Sequence, residues 1–178
     1  MKIKQILLTI TAIVTSIACL NHAYADGHTT RGNHHIGLGY SQMNPATVAG
    51  TATSLNLSSV SVALGTALND NFSLEARFGL GAKDDTSRKI SKTYGGYLKA
   101  GMYLSENLYP YAILGYSKAN IKSSTGGSTV KESDVSVGLG INVAFMQSDM
   151  DMAFEYMRYV QETNLKMNSL SVSLYSYF

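Results

Sequence analysis

Four charged residues interrupt segments in which apolar and polar side chains alternate, and they are the residues best suited to chemistry. Glu75 and Arg77 lie two positions apart in one segment, Lys99 lies in the next, and Glu155 lies in a later one. Side chains two positions apart share one face of a β-strand, so these groups can meet in one interior. They predict either a plug of ion pairs or a gate that passes small solutes when the pairs exchange partners. A pair of glycosidase acids is disfavoured because bases accompany the two glutamates.

Nucleophilic and metal chemistry find little support in the sequence. Serines are plentiful, but no histidine follows His35 and no His-x-Ser pair is present, so a nucleophile lacks a base and no enzyme is predicted. His28, His34 and His35 are the candidate metal ligands. Adjacent strand residues point to opposite faces, so His34 and His35 cannot chelate one ion without a bend. We therefore expect a solvated tail entering a strand, with no metal and no cofactor.

The segments that carry these residues follow the period of β-strands. Eight stretches of roughly ten residues, the length of a tilted membrane strand, alternate between apolar and polar side chains. The links after the first, third and fifth are long, and those after the second, fourth and sixth are short, as in outer-membrane barrels. In the fifth stretch both parities are apolar, and we place Ala112, Leu114 and Tyr116 outward. The predicted strands are 35–41, 59–68, 72–80, 93–104, 108–117, 135–145, 152–159 and 168–178.

The aromatic residues agree with a barrel that spans a membrane. One group falls beside the short turns and a second falls toward the long links, which predicts girdles at the two membrane interfaces. The fold expected for residues 26–178 is thus all-β, an eight-stranded antiparallel up-and-down transmembrane β-barrel. The first group is Phe72, Tyr103, Tyr109, Phe145, Tyr177 and Phe178, and the second is Tyr40, Tyr94, Tyr116, Tyr156 and Tyr159.

The first 25 residues have the layout of a secretory signal peptide. Lys2 and Lys4 precede an apolar run over 6–20 and a small-x-small site that predicts cleavage after Ala25. A lipoprotein site at Cys19 is the alternative, with a serine where a branched aliphatic residue is usual. Cleavage removes two of fourteen basic residues, which leaves twelve against twelve acidic ones. A formal charge of zero gives no reason to predict nucleic-acid binding, and the only cysteine also leaves with the leader.

A family resemblance follows from the Ala-Tyr-Ala leader site, the eight alternating strands, Tyr-Pro-Tyr at 109–111 and the final Phe178. The chain resembles the small eight-stranded outer-membrane barrels: the OmpX/Ail adhesion-type proteins, the opacity proteins and the N-terminal barrel of OmpA. The resemblance implies a monomer in the outer membrane of a Gram-negative bacterium, with a structural or surface-interaction role of adhesion type. It implies insertion by the barrel-assembly machinery, with Leu174 and Phe178 in the C-terminal signal. The alternative is a narrow porin-like channel.

Charge placement completes the predicted sites. Glu75, Arg77, Lys99 and Glu155 take the interior parity, because a basic residue facing lipid at midplane costs about 2–4 kcal/mol. Arg158 takes the lipid parity near a long link, where it snorkels to the interface unless a bulge turns it inward. The long links carry a surplus of bases that predicts contacts with lipopolysaccharide phosphates or acidic host glycans, or simply a solvated surface. These bases are Lys83, Arg88, Lys89, Lys92, Lys118, Lys122 and Lys131.

Overall fold

The computed structural model describes residues 32–48, 51–52, 56–83, 88–123, 129–145, 148–161 and 165–178. The signal peptide, its cleavage after Ala25, the alternative site at Cys19 and His28 lie outside the described residues and remain predictions. No helix within the described ranges is long and apolar enough to cross a membrane.

Eight long strands form one antiparallel sheet that closes on itself. Each strand pairs with the next in sequence, and β1 also pairs with β8 from His35 opposite Tyr177 to Val48 opposite Leu165. Beyond the last pair, the backbone N–H of His34 donates to Phe178 at 3.1 Å and that of Phe178 donates back at 2.9 Å. Closure confirms the predicted eight-stranded barrel. The strands are β1 (His34–Val48), β2 (Leu57–Ala67), β3 (Phe72–Lys83), β4 (Arg88–Gly101), β5 (Leu108–Ser123), β6 (Thr129–Ala144), β7 (Met150–Gln161) and β8 (Leu165–Tyr177), and a two-residue strand, Thr51–Ala52, pairs with the end of β1.

Side chains alternate between the lumen and the outer surface along the strands. The outer surface carries exposed apolar residues such as Leu64, Leu139 and Leu170, whereas the lumen-facing positions are buried or partly buried. An apolar exterior of this extent would aggregate in water and is instead suited to hydrocarbon. On β5, Ala112, Leu114 and Tyr116 face outward as predicted, and Gly115 faces the lumen, where a Cβ would meet the Tyr97 ring.

The predicted girdles are correct for most of their members. Exposed aromatics surround both ends: Phe72, Tyr103, Phe145 and Phe178 beside the short turns, and Tyr40, Tyr94, Tyr116 and Tyr156 toward the long links. The prediction is wrong for Tyr109, Tyr159 and Tyr177, which take the lumen parity of their strands. Tyr159 is buried, and Tyr109 and Tyr177 line the lumen at the short-turn end.

Several strands extend into the segments predicted as loops. β1 reaches Val48, past Pro45, whose missing N–H falls at a register shift between Pro45 and Thr47. The hairpin of β5 and β6 continues to Lys122 opposite Thr129, so much of the long link expected between the predicted strands 108–117 and 135–145 is paired strand. β4 likewise begins at Arg88, whereas a loop was predicted to Lys92. The hydrogen bonds between strands join backbone groups and need no apolar side chains. Strand pairing therefore extends beyond the residues that alternate between apolar and polar.

Candidate functional site: the lumen and the outer wall

The four predicted lumenal residues meet in one ring of ion pairs, the lumenal charge cluster (Glu75, Arg77, Lys99 and Glu155). The Arg77 guanidinium bonds Glu155 through Nη1 and Nη2 at 2.5 and 2.8 Å, and its Nε also contacts Glu75. Lys99 Nζ lies 2.8 Å from Glu75 Oε2 and 3.3 Å from Glu155 Oε1. Each cation therefore contacts both carboxylates, and all four residues are at most 9% exposed. The placement on the interior parity is correct.

Tyrosines complete the hydrogen bonds and cover the cations. Tyr111 donates to Glu155 Oε1 at 2.6 Å, and Lys99 Nζ donates to the Tyr175 hydroxyl at 3.2 Å. Lys99 Nζ also lies 4.8 Å from the centre of the Tyr111 ring and 4.5 Å from that of Tyr175. Arg77 Cζ lies 4.9 Å from the centre of the Tyr97 ring. Such contacts with aromatic faces stabilise cations removed from water.

His35 belongs to this site, and the expectation of a solvated tail is wrong for it. The imidazole is 4% exposed, and its Nε2 lies 3.1 Å from Glu75 Oε2. It packs edge-on against Tyr175, with ring centroids 5.3 Å apart, while His34 on the opposite face is exposed. The signal was present in the sequence, because His35 shares its parity with Gly37, a residue of the polar face.

Lumen-facing glycines make room for the tyrosines. A Cβ on Gly37 would lie 2.5 Å from the Tyr175 ring, and one on Gly140 would lie 2.6 Å from the Tyr111 ring. Real side chains do not approach this closely, and an aromatic ring cannot bend away. The glycines on the inner parity of β1 and β6 are thus the local reason that large rings fit inside a narrow barrel.

The lumen on the long-link side of the charge cluster is closed by apolar side chains, here called the apolar plug. Its members come from six strands, pack in one cluster and are at most 3% exposed. Beneath the apolar plug, Tyr97 and Ser136 each lie 2.6 Å from Ser117 Oγ in a small hydroxyl network. An eight-stranded interior is just wide enough for side chains to fill it. The apolar plug consists of Met43, Leu57, Ile90, Ile121, Met157 and Met167.

The lumen on the short-turn side is open. A cavity of about 190 Å³ enters from this end and reaches His35, Lys99 and Asn142. Asn142 Nδ2 donates to Asp151 Oδ2 at 3.1 Å, and Asp151 is 1% exposed. Polar access thus reaches the charge cluster from one end, and the apolar plug lies at the other. No group of metal-binding side chains occurs among the residues that the structure describes.

The basic residues predicted for the long links lie on strands rather than in loops. Lys89 and Lys92 lie on β4, Lys118 and Lys122 on β5, and Lys131 on β6, while Lys83 ends β3 and Arg88 begins β4. Arg158 on β7 is exposed, as its parity predicted, and the register shift that follows it, between Arg158 and Val160, does not turn it inward. Leu174 and Phe178 lie on β8 and just after it. The binding roles of all these residues remain predictions.

A closed barrel with an apolar exterior, two aromatic girdles and a polar, charged lumen defines the class of outer-membrane β-barrels. The chain belongs to the outer membrane protein beta-barrel domain family, whose sequence model matches residues 10–178. It is accordingly an outer-membrane protein. Among curated proteins, no sequence match was found.

Solved structures share the fold at low sequence identity. One is the attachment invasion locus protein Ail of Yersinia pestis, in complex with the heparin analogue sucrose octasulfate. Its sequence is 15% identical and its TM-score is 0.59, and the match covers 82% of this chain and 97% of Ail. Neisserial surface protein A is 16% identical with a TM-score of 0.60, over 86% and 100%. The N-terminal barrel of Pseudomonas aeruginosa OprF is 14% identical with a TM-score of 0.55, over 82% and 99%. At these identities the likeness shows the fold.

Proposed function

We propose that this protein is a structural outer-membrane barrel that acts through its external surface, in an adhesion-type or other surface-interaction role. The observation that carries the proposal is the apolar plug. Ions and small polar solutes cannot cross a segment of lumen filled by Met43, Leu57, Ile121 and their neighbours without leaving their water behind. Because the lumen is closed, the outer wall and the long links are the surfaces through which the barrel can act.

The charge cluster supports the same role as a structural element. Two acids and two bases, each in contact with the opposite pair, neutralise one another inside the wall. Buried pairs of this kind cost much to break and are weak indicators of activity. The His35 imidazole is paired with Glu75 Oε2, which fits the same structural role. We further propose that the protein is a monomer inserted by the barrel-assembly machinery through the signal containing Leu174 and Phe178.

Host surface molecules are the adhesion-type partners proposed. Ail has the same fold, and its complex contains a heparin analogue, an anionic sugar. The basic surplus near the long links of this chain provides charge for an acidic glycan. Replacing Lys92, Lys122 and Lys131 with glutamine, then measuring binding of cells to host matrix, tests the role. Unchanged binding would remove adhesion through this basic surplus.

A narrow channel gated by the charge cluster is the second candidate. One observation favours it: Lys99 and Arg77 already contact both glutamates, so partners can exchange without large movements. The 190 Å³ cavity also gives solutes access to Lys99 from the short-turn end. The apolar plug would have to move for conduction to occur.

Planar-bilayer conductance of refolded mature protein separates the two. A shift in gel mobility on boiling first establishes folding. The structural role predicts a silent protein, both as wild type and as Lys99→Met. Discrete openings that change in Lys99→Met or Glu155→Gln, but not in the exposed-turn control Glu106→Gln, would put the channel first.

A further inference from the structure

The cavity of about 190 Å³ at the short-turn end of the lumen is large enough for a small organic molecule. One water takes about 30 Å³ of liquid volume, so the cavity has room for roughly six waters. Its wall combines aromatic rings with polar groups and includes Asp70, in the turn between β2 and β3. The short turns of outer-membrane barrels face the periplasm, so a ligand would enter from that compartment.

The short turns around this cavity are acidic. Residues 67–72, 101–108 and 143–151 contain four acids and no lysine or arginine. Asp70 lies in the cavity wall, whereas Glu106 is exposed in the next turn and lies outside that wall. An acidic surface attracts cations and repels anions. The four acids are Asp70, Glu106, Asp149 and Asp151.

Two tyrosines line the cavity together with Asp70. Tyr103 and Tyr109 pack against each other with ring centroids 4.7 Å apart. The Tyr109 hydroxyl donates to the backbone carbonyl of Asn71 at 3.2 Å, which ties this ring to the turn that contains Asp70. The faces of tyrosine rings attract cations. A cation at this level therefore meets a carboxylate and aromatic rings.

The basic residues at the inner end of the cavity are already engaged. Lys99 Nζ contacts Glu75, Glu155 and the Tyr175 hydroxyl, one partner for each of its three hydrogens. His35 is paired with Glu75. An anion that entered the cavity would therefore find no free hydrogen on Lys99. A second cation at the inner end would be repelled by the same ammonium group.

Asn142 adds an acceptor to the cavity wall, directly opposite Tyr109. Its Nδ2 donates to Asp151 Oδ2 at 3.1 Å and to the Tyr177 hydroxyl at 3.2 Å. The carboxylate only accepts, so this bond fixes which end of the amide is the donor. The Oδ1 of Asn142 has no hydrogen-bond partner among the described residues. An unpaired buried oxygen costs free energy, and an N–H donor in the cavity would remove that cost.

We propose that this cavity binds a small primary ammonium compound with a short aliphatic chain, taken up from the periplasm. The ammonium group lies between Asp70 and the rings of Tyr103 and Tyr109. The chain lies deeper, against the rings of Tyr111 and Tyr177, which also line the cavity. The site opens at the end of the barrel opposite the long links, so it goes beyond the surface-interaction role and does not depend on it.

Titration with n-butylammonium, followed by amide NMR of the mature protein in phosphatidylcholine nanodiscs, tests the proposal. Saturable shifts are expected for the amides of Asn33, Ser73 and Asn142, which line the cavity. The amides of Lys122 and Thr129, at the far end of the barrel, are expected to stay unchanged. Butyrate and n-butanol have similar chains without the positive charge, and they are expected to bind at least about fivefold more weakly.

A pair of double variants separates the site from the charge of its surroundings. Asp70→Asn with Tyr103→Leu removes the carboxylate and one ring. Binding of n-butylammonium is expected to weaken about 4- to 25-fold, because an exposed ion pair and an exposed cation–π contact each contribute about two- to fivefold. The matched control, Glu106→Gln with Tyr103→Phe, removes a carboxylate outside the wall and keeps the ring. It is expected to change binding by less than about twofold, since salt screens distant exposed charges.

Other outcomes overturn the assignment. Equal binding of butyrate or n-butanol would refute recognition of an ammonium group. Equal weakening by the two double variants would show an effect of acidic charge alone. Shifts that do not saturate, or that are as large at Lys122 and Thr129, would show partition of the amine into the lipid surface. Should the variants fail to refold, the comparison of the three probes on the wild-type protein decides. None of these results bears on adhesion or conductance, so a failure here is distinct from a failure of the proposed function.

Discussion

Replacing Glu155 with glutamine is expected to lower the free energy of unfolding by about 3–5 kcal/mol, the usual loss when one member of a buried ion pair is removed. Glu155 is 1% exposed and accepts hydrogen bonds from Arg77 and Tyr111, with Lys99 Nζ 3.3 Å away. Glutamine keeps the volume but leaves Arg77 and Lys99 to share Glu75 alone. The site then holds one uncompensated positive charge.

The loss is measured by urea unfolding of the refolded barrel in phosphatidylcholine vesicles. The chain contains no tryptophan, so the folded fraction is read from gel mobility without boiling and from circular dichroism. The exposed residue Glu106 provides the control, and Glu106→Gln is expected to change stability by less than about 0.5 kcal/mol. The control also reports whether loss of one negative charge alone alters refolding.

A double-mutant cycle isolates the pairing. Lys99→Met together with Glu155→Gln restores neutrality, since Glu75 then faces Arg77 alone. The combined loss is expected to fall short of the sum of the single losses by about 0.5–3 kcal/mol. A cost below about 1 kcal/mol for Glu155→Gln, or strictly additive losses, would refute the idea that this cluster is a coupled ring of charges.

Three further variants probe other parts of the barrel by the same unfolding assay. Gly37→Ala places a Cβ 2.5 Å from the Tyr175 ring and is expected to lower the free energy of unfolding by about 1–3 kcal/mol. Gly96→Ala is its matched control, because a Cβ there has nothing within 4 Å. Equal effects of the two variants would contradict the packing argument. Leu57→Ala removes a fully buried part of the apolar plug and is expected to cost about 2–5 kcal/mol; a smaller loss would mean that the plug is loosely packed. Deleting Phe178 removes the backbone hydrogen bonds with His34 that extend the pairing of β1 with β8, so the folded fraction is expected to fall. An unchanged folded fraction would argue against closure at this end.

The two-residue period was sufficient to predict most of the architecture. Alternation identified all eight strands and the outward parity of Leu114 and Arg158, because the pleat of a strand assigns each side chain to one face. It also assigned Glu75 and Glu155 to the lumen. Strand ends were predicted less well, since the ladder between β5 and β6 continues through polar residues such as Lys122.

The candidate site was predicted in its members but not in its contacts. The place of His35 in the site was not predicted, although the parity of its strand already puts it inside the barrel. The apolar plug could not be foreseen, since Met43 and Met167 fall in segments whose polar composition suggested loops.

By itself, the sequence determined the fold class, the number of strands and the face of most residues, since these follow from local alternation and from the lengths of turns. Only the tertiary structure decided which charges meet and where the lumen is closed. Those relations depend on strand register and barrel closure, which set residues 78 positions apart, such as Arg77 and Glu155, within hydrogen-bond distance. No local pattern contains that information, because register is the outcome of the packing of the whole barrel.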